Sequence, residues 1–367
     1  MYNWEQKDWR QFQYDETVFA ESALIFMSLA GQSLGYLNSL SGNEQAESII
    51  SVLVNEAIKT SSIEGEFISR VDVISSIRKN LGYATPGYHI KDKRSEGIAT
   101  LLVKAREDFA SDLSDELLFE WHQLLMVGNK TINAGQYRSH AEPMQIISGL
   151  IGKEEIHFEA PPSAQVPVEM QTFFEWFNAT KPDGPSPITN LLIRTAIAHL
   201  YFETIHPFED GNGRIGRVIA EKAIAQGLKR PILMSPSSVI EADKKAYYDA
   251  LKKAQSSNNI TDWILYFSDT IIKAQRNFIE TIDFLLKKTN FFDRNQSQLN
   301  DAQAKVLNRM LEEGEDNFKG GINARKYQSI SQVSKATATR HLQDLVEKGI
   351  LIAQKGGRST QYQVNLD

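Results

Sequence analysis

The stretch that decides the fold is His206–Arg217, which reads HPFEDGNGRIGR. It lies between two strongly helical segments, Asn190–Ile205 and Arg214–Gln226. Pro207 prevents the first helix from simply continuing, because proline has no N–H and clashes with the preceding turn. The glycines of the GNG triplet accept the positive φ angles that a tight reversal requires. The sequence therefore predicts two helices joined by a short loop.

The GNG triplet, Gly211, Asn212 and Gly213, can turn successive backbone N–H groups toward one point at a helix N-terminus. Such an arrangement binds anions, and phosphate is the usual one. Arg214 and Arg217 follow at a spacing of three, so they share one helix face. Their forked donors suit phosphate oxygens. The pattern predicts a phosphate-binding loop.

Two further side chains of this stretch indicate chemistry. Asp210 would repel a bare phosphate, but it fits a site where Mg²⁺ lies between carboxylate and phosphate. His206 is the group that can take a proton near neutral pH. Together these residues predict transfer of a phosphorus group from a nucleotide. Because no nucleophile of the protein is evident, the acceptor hydroxyl should belong to the substrate.

The stretch resembles the Fic family signature HxFx(D/E)GNGRxxR and matches it at every position. The resemblance implies a protein that transfers AMP from ATP to a Ser, Thr or Tyr hydroxyl of a target protein and releases pyrophosphate. It implies that His206 is the general base, Phe208 a buried anchor and Asp210 the Mg²⁺ ligand. The residues that it implies for nucleotide binding are Gly211, Asn212, Gly213, Arg214, Ile215, Gly216 and Arg217.

A second likeness lies in TSSIEGE, which resembles the Fic inhibitory motif (S/T)xxxE(G/N) with Thr60, Glu64 and Gly65 in the matching places. A carboxylate in the last turn of a helix is unfavourably placed against the helix dipole, so Glu64 gains from a cation elsewhere. The resemblance implies Arg217 as that cation and a non-productive pose for ATP. In some relatives the same glutamate supports removal of AMP, and this alternative stays open.

Two more segments resemble parts of Fic proteins that surround the site. AYYDAL resembles the segment behind the adenine pocket, so Tyr247 and Tyr248 are predicted to contact base or ribose; ordinary core or surface tyrosines are the alternative. MQIISG and EEIHFEA can pair as a hairpin around Gly149–Gly152, where the family has a flap that docks the target by strand pairing. The residues predicted to dock the target are Ile156, His157 and Phe158.

The C-terminal part has the order helix, helix, helix, hairpin, which is the winged-helix order. From Lys319 to Asp367 there are 8 Lys and Arg against 3 Asp and Glu, a local charge of +5. Binding of DNA and a protein-interaction role both stay open. The residues predicted to meet DNA are Lys335, Thr337, Thr339, Arg340 and His341 on the recognition helix, with Lys355 and Arg358 on the wing.

The predicted fold class is therefore mainly α: a Fic helical-bundle core with a small β-hairpin flap, and a C-terminal winged helix-turn-helix domain. The predicted parts are an N-terminal helical extension with the inhibitory helix (1–100), the catalytic core (101–290) and the winged-helix domain (300–367). The N-terminal segment, with Trp4 and Trp9, is predicted to fill a groove on the main body.

Composition limits the classes of protein. With 40 Lys and Arg against 46 Asp and Glu in 367 residues, the net charge of −6 argues against a general nucleic-acid coat. The absence of cysteine excludes disulfides, Cys-zinc sites and a thiol nucleophile. No signal-peptide pattern is seen, and no run approaches the roughly 18 apolar residues of a spanning helix. We expect a cytoplasmic protein with no membrane association, and a homodimer is an expectation without a specific motif.

Two classes of function stay open. The first is an autoinhibited protein adenylyltransferase, with transfer of UMP, phosphate or phosphocholine, or removal of AMP, as near alternatives. The second is a DNA-binding regulator whose core only senses nucleotide. The intact His206, Asp210 and both arginines favour the enzyme, because a sensor has no need of a base.

Overall fold

The chain forms two compact units, 1–278 and 279–367. One long helix, α11 (Thr261–Asn295), begins in the first unit and ends in the second. The computed structural model describes residues 1–83, 89–148, 155–311, 320–354 and 360–366.

The first unit is helical apart from one hairpin. Several helices begin at a side chain that caps the free N–H groups of the first turn; Ser41, Ser114 and Asn190 do so for α2, α5 and α7. The helices before α11 are α1 (Ala20–Ser39), α2 (Gly42–Ile63), α3 (Arg70–Asn80), α4 (Lys93–Glu107), α5 (Asp115–Leu125), α6 (Val166–Ala179), α7 (Leu191–Ile205), α8 (Asn212–Leu228), α9 (Pro236–Ala242) and α10 (Lys244–Ala254).

The helix pair α7 and α8 lies at the centre of this unit. Every residue of α7 from Leu192 to Ile205 is buried, and most of them are apolar, as expected for a helix at the centre of a bundle. One apolar cluster around Trp121 and Phe202 and a second around Ile197 and Trp263 cover the pair. The short loop between α7 and α8 is therefore held by a well-packed core.

The N-terminal segment packs on the main body as predicted. Trp4 Nε1 donates to the Glu159 carbonyl at 2.7 Å, and Trp9 Nε1 donates to Glu169 Oε2 at 2.9 Å. The Trp9 ring also meets Tyr201 edge to face, with 5.3 Å between ring centroids. These aromatic side chains attach the segment to the surface of the bundle.

The single hairpin of the first unit consists of β1 (Gln145–Ser148) and β2 (Glu155–Glu159), which pair antiparallel. Gln145 lies opposite Glu159, and the register shifts between Ile146 and Ile147. The predicted pairing of these two segments is confirmed. Their predicted turn at Gly149–Gly152 lies outside the described residues.

Three features of the helices differ from the predictions. Helix α9 was not predicted, because it is short and starts at Pro236, which suits a first helical position. Helix α11 continues to Asn295, into the segment between the predicted core (101–290) and the predicted winged-helix domain (300–367). It does so because Phe291 is buried and extends the apolar side of the helix. The segment 16–39, which includes α1, is long and apolar enough to span a membrane by length and composition, although no such run was expected. A buried core helix and a signal sequence pass the same test, and 22% of this window is buried.

The second unit has the predicted order of elements. Its helices and strands are α12 (Asp301–Met310), α13 (Ala324–Ser331), α14 (Lys335–Glu347), β3 (Leu351–Gln354) and β4 (Gln361–Val364). The two strands are antiparallel, and Ile322 forms an additional bridge to Tyr362. Leu307, Leu342 and Leu345 lie in its core.

Helix α14 presents part of the predicted DNA-contacting set. Lys335, Thr339 and Arg340 are exposed, and Thr337 is half-buried. His341 turns inward instead, because its Nδ1 is 3.0 Å from the Tyr327 hydroxyl. The predicted wing residues Lys355 and Arg358 lie outside the described residues.

Candidate active site

The loop between α7 and α8 reverses the chain with two left-handed residues. His206 ends α7 with φ 50° and ψ 60°, and Gly211 precedes α8 with φ 85°. Left-handed backbone is uncommon for a histidine, and such strain concentrates at functional sites. No side chain caps the N-terminus of α8. The first N–H groups of this helix therefore remain available for an anion.

Two internal contacts fix the shape of the loop. The Asn212 amide accepts from Phe208 N and donates to Phe208 O, both at 2.9 Å. The buried Phe208 ring stacks on His122 with 4.0 Å between centroids, which confirms it as a buried anchor. His122 Nδ1 accepts from Gly135 N, so its Nε2 donates to the Asp210 carbonyl. The Asn212 side chain thus holds the loop, and only its backbone can face a phosphate.

His206 lies in a buried and charged environment. Burial and the positive charge of Arg138 lower its pKa to about 4. Glu203 Oε2 lies 3.8 Å from His206 Nδ1, and burial raises the pKa of Glu203 to about 8. Near neutral pH the imidazole is therefore uncharged, as a general base requires.

The end of α2 brings a carboxylate to the second arginine of the loop. Arg217 Nη2 donates to Glu64 Oε1 at 2.7 Å. The same guanidinium donates to Thr60, from Nε to Oγ1 at 2.7 Å and from Nη2 to the carbonyl at 3.1 Å. Because Arg217 is only 2 % exposed, these partners hold it firmly. The contact between Glu64 and Arg217 that the resemblance implied is present.

Glu64 also covers the N-terminus of α8. A Cβ added at Gly213 would overlap Glu64 Oε1 and would lie 3.2 Å from Arg217 Nη1. The carboxylate thus lies against the backbone where a helix N-terminus attracts an anion. Only glycine at position 213 leaves room for this approach. In this structure Glu64 therefore lies beside two of the residues that the sequence predicted for phosphate binding, Gly213 and Arg217.

A second carboxylate meets the first arginine of the loop. Arg214 Nη1 donates to Glu66 Oε2 at 2.7 Å, and Nη2 donates to Asp210 Oδ1 at 3.1 Å. The turn after α2 positions the carboxylates of Glu64 and Glu66, because Gly65 has φ 78° and Glu66 N donates to the Ser61 carbonyl. This is the double hydrogen-bonded helix end that a left-handed glycine permits.

Helix α2 is itself anchored. The buried Glu56, two turns before Glu64, accepts from the Ser235 hydroxyl at 2.7 Å and from Ser237 N at 3.2 Å. Lys59 pairs with Glu241 at 3.0 Å. The first contact joins α2 to the N-terminus of α9, and the second joins it to the body of α9. The end of α2 is therefore held in place over the loop.

The residues present fit a Mg²⁺ ion that is held with a nucleotide. Asp210 is half-exposed beside the N-terminus of α8, and its carboxylate is the hard oxygen donor that Mg²⁺ prefers. Within the described ranges no group of three or more His, Asp or Glu converges on a metal position. The ion would therefore take one protein carboxylate, with phosphates and water as its other ligands.

Comparison with protein families agrees with this geometry. Residues 112–224, which include the whole loop, match the Fic/DOC family. This region of the chain is similar to Fic/DOC family domains. Residues 2–83, which include Glu64, match a domain of unknown function, DUF4172. The region that matches the Fic/DOC family thus supplies the arginines, and the region that matches DUF4172 supplies the carboxylate that meets Arg217.

The sequence relatives of the Fic domain are distant. A probable protein adenylyltransferase from Aquifex aeolicus (strain VF5) is 30% identical over 99 residues, 27% of each chain. The protein adenylyltransferase Fic from Drosophila mojavensis is 24% identical over 138 residues, 37% of this chain and 25% of the relative. The match thus spans about a quarter of the length of these curated relatives.

Two solved structures share the fold. A crystal structure of a Fic family protein from Desulfovibrio desulfuricans G20 has a TM-score of 0.55 at 20% identity and covers 96% of this chain and 98% of that one. A Fic domain containing signaling protein from Bacteroides thetaiotaomicron VPI-5482 has a TM-score of 0.53 at 18% identity, covering 71% and 97%. These likenesses establish a mainly helical Fic-like fold.

The remaining predicted nucleotide contacts differ in their exposure. Tyr248 is 41% exposed and available to a ligand, whereas Tyr247 is 2% exposed and shares a 2.9 Å hydrogen bond with His199. Any effect of Tyr247 on a nucleotide would therefore be indirect. Ile215 is fully buried, and Gly216 lies against Glu203, where a Cβ would overlap the carboxylate. The Ile215 side chain therefore packs in the core, and the absence of a side chain at Gly216 makes room for Glu203.

The three hairpin residues that were predicted to dock a target also differ in their exposure. Ile156 is 47% exposed and can meet a docked peptide. Phe158 is buried instead and packs edge to face on Tyr2, with 5.0 Å between centroids. His157 is half-buried, and its Nδ1 lies 3.3 Å from Lys252 Nζ. Of the three predicted docking residues, Phe158 is therefore part of the core.

Sequence reasoning missed three residues that shape the site. Arg138 donates to the His206 carbonyl at 2.8 Å, Glu66 pairs with Arg214, and His122 supports the loop. Glu66 follows directly in the TSSIEGE segment, so its acidic character was a usable signal. Arg138 and His122 lie in segments without any local signature, so their partners could not be read from neighbouring residues.

Proposed function

We propose that the chain is a protein adenylyltransferase, which transfers AMP from ATP to a Ser, Thr or Tyr hydroxyl of a target protein and is inhibited by Glu64. The observation that carries the proposal is the position of the Glu64 carboxylate, which contacts Arg217 and lies against Gly213 in the first turn of α8. A carboxylate that lies between an arginine and the start of a helix indicates surroundings that favour an anion such as phosphate. The named activities of distant relatives support the same reaction.

In the proposed reaction the target oxygen attacks the α-phosphorus of ATP. A new P–O bond to the target forms, and the bond between the α-phosphorus and the oxygen leading to the β-phosphorus breaks, so that pyrophosphate leaves. The hydroxyl proton goes to Nε2 of His206, which is neutral near pH 7. Arg214 and Arg217 would hold the departing phosphates, because their fixed charges stabilise negative charge in a buried site.

Asp210 would hold Mg²⁺ together with the phosphates, and the ion would supply charge stabilisation to the leaving pyrophosphate. The backbone N–H groups of Gly211, Asn212 and Gly213 would face the phosphates. Tyr248 is the exposed aromatic residue available to the base. A target segment would pair with the hairpin near Ile156, where main-chain hydrogen bonds give recognition without a fixed sequence.

The test uses the whole Glu64→Gly chain with Mg²⁺ and α-labelled ATP, γ-labelled ATP or α-labelled UTP, alone and in a lysate. Label on protein from the α position only is the expected result. Label from the γ position only would mean phosphate transfer, and label from α-labelled UTP only would mean UMP transfer. Loss of label from a premodified protein would indicate removal of AMP. No label with nucleotide still bound would favour the sensing regulator.

The site also predicts an unusual pH dependence. Because burial and Arg138 lower the pKa of His206 to about 4, the imidazole stays uncharged in mildly acidic solution. Transfer by the Glu64→Gly chain should stay level down to about pH 5 and fall near pH 4, where protonation removes the base. The measurement is the initial rate of α-label incorporation against pH, with circular dichroism at each pH. A rate that halves near pH 6.5 with the fold intact would contradict it.

Replacement of Arg217 by alanine should weaken ATP binding. A hydrogen bond to a charged group contributes about 1.5–3 kcal/mol, so the loss should raise Kd for ATP roughly 10- to 100-fold. Calorimetric titration with Mg²⁺-ATP measures it. The Glu64→Gly change should not restore binding, because the guanidinium is still missing. Recovery in the double variant would mean that Arg217 serves only to hold Glu64.

Glu66 should inhibit the same site in addition to Glu64, because it occupies Arg214. In the Glu64→Gly background, Glu66→Gln should raise transfer a further few-fold, up to about tenfold, because it frees Arg214 from a 2.7 Å ion pair. The matched control is Glu241→Gln, which removes a carboxylate that pairs with Lys59 near the same helix. Equal rates in the Glu66 and Glu241 variants would mean that Arg214 is accessible to phosphate without the change.

Binding of DNA by the second unit is a separate proposal. It is supported by the helix order and by the exposed Lys335, Thr339 and Arg340 on α14. Phosphate contacts would make the affinity fall steeply with salt. Fluorescence anisotropy with duplex DNA at rising salt, for the chain and for Lys335→Gln with Arg340→Gln, tests it. An unchanged affinity in that variant would favour the protein-interaction role.

A further inference from the structure

Arg138 joins the base of the hairpin to the loop that carries His206. Its backbone N donates to the Pro207 carbonyl at 2.9 Å, and its Nε donates to the His206 carbonyl at 2.8 Å. Nη2 donates to the Ile205 carbonyl at 3.2 Å. Three consecutive carbonyls at the end of α7 therefore depend on this one residue.

The same guanidinium reaches the segment that follows β2. Nη2 donates to the Pro161 carbonyl at 2.5 Å, and Nη1 donates to the Ser163 hydroxyl at 2.9 Å. Arg138 itself precedes β1 by seven residues. The side chain thus connects the two ends of the hairpin to each other and to the residue proposed as the base.

We propose that Arg138 is a positioning residue, which holds the His206 backbone in its left-handed conformation and sets the distance between the base and the hairpin that docks the target. The inference rests on the proposed function, since it concerns the same transfer site. It adds a residue outside the HPFEDGNGRIGR stretch to the machinery of that site.

The geometry explains why an arginine is needed. A left-handed histidine stores about 1–3 kcal/mol of strain, which persists only where the surroundings over-determine it. The carbonyls at a helix C-terminus carry partial negative charge, so a buried cation stabilises them. Arg138 is 2% exposed, and within the described ranges its acceptors are carbonyls and one hydroxyl. Lysine has the charge but lacks the planar fork that reaches several acceptors at once.

The charge of Arg138 also acts on the imidazole. The titratable groups that face His206 are Glu203 of α7, Glu64 at the end of α2, Asp210 of the loop and Arg138. After burial, Arg138 is the largest influence that lowers the pKa of His206. Removal of its charge should therefore raise that pKa. Exposure of the imidazole would raise it as well, so the comparison with Arg138→Lys, which keeps the charge, separates the two causes.

The experiment compares Arg138→Lys and Arg138→Met with a matched control, Arg194→Lys, all in the full-length Glu64→Gly chain. Arg194 is also a buried arginine that donates to carbonyls, those of Phe177 and Ala223, but it lies at the start of α7. The three readouts are α-label incorporation at saturating ATP, ATP affinity, and the His206 pKa from NMR titration of labelled histidine.

Both Arg138 variants should lower turnover about 10²-fold at unchanged ATP affinity, because a base displaced by about 1 Å loses that much. Arg138→Met should also raise the His206 pKa, and Arg138→Lys should leave it in place. Arg194→Lys should change neither quantity. The Lys variant keeps the test available if the Met variant does not fold.

Turnover that falls no further in the Arg138 variants than in Arg194→Lys would overturn the inference. An unmoved His206 pKa in a folded Arg138→Met chain would overturn it as well. If the Glu64→Gly chain transfers no group at all, the proposed function fails, and the NMR titration alone then decides the role of Arg138. The two failures are therefore distinguishable.

Discussion

Replacement of His206 by asparagine should reduce transfer of AMP about 10²- to 10⁴-fold, the usual contribution of a general base. Asparagine tolerates the left-handed backbone found at this position, with φ 50°, better than alanine does. The variant thus removes the base while keeping the loop. The measurement is the rate of α-label incorporation in the Glu64→Gly background.

ATP binding should survive this change, because His206 acts on the proton of the acceptor and the predicted phosphate ligands are Arg214, Arg217 and the backbone of the loop. Calorimetric titration with Mg²⁺-ATP tests this directly. His89→Ala is a suitable control, since His89 is exposed and lies outside the site. Full turnover in His206→Asn would exclude the histidine as base and direct attention to another acceptor of the proton.

Replacement of Glu64 by glycine should raise transfer about 10- to 100-fold. Its carboxylate contacts Arg217 at 2.7 Å and lies against Gly213, so it competes with the phosphates for the same donors. A hydrogen bond between charged groups contributes about 1.5–3 kcal/mol, and this is the advantage that ATP would regain. Initial rates of the two chains at equal ATP concentration measure the effect.

The same change should lower the stability of the chain without nucleotide. Arg217 would lose an ionic partner while still bonded to Thr60, which costs about 1–3 kcal/mol for a buried donor left unsatisfied. Mg²⁺-ATP should then raise Tm more in Glu64→Gly than in the unchanged chain, because phosphate replaces the missing carboxylate. The Glu64→Gln variant removes the charge but keeps the side-chain volume, so it separates the effect of charge on stability from the effect of shape.

Glu241→Gln again serves as control, because Glu241 pairs with Lys59 and not with Arg217. A rate in Glu64→Gly equal to or below that of the unchanged chain would remove the inhibitory role. A rate increase in Glu241→Gln of the same size would mean that loosening of α2, and not release of Arg217, activates the site.

The local part of this site could be predicted because it depends on neighbours in the chain. Pro207 ends one helix, and the left-handed Gly211 starts the next, whatever surrounds them. The spacing of Arg214 and Arg217 follows from the helix period alone. The hairpin was also predictable, since alternation and turn residues mark its two strands. These features follow from backbone preferences over a few residues.

The partners of these residues depend on packing across the chain. Glu64 and Arg217 are 153 positions apart, and Arg138 and His206 are 68 apart. Nothing within AGQYRS distinguishes Arg138 from a surface arginine. Tyr247 and Tyr248 are adjacent, and only the side of α10 that packs on α7 decides which of them is buried.

The sequence by itself thus determined a glycine turn between two helices, with a histidine before it, two arginines after it and a carboxylate at the end of another helix. Only the tertiary structure decided that this carboxylate covers the loop, that Glu66 meets the other arginine and that Arg138 holds His206. The physical reason is that local backbone preferences act over a few residues, whereas the approach of distant charges is set by which helix faces are buried together.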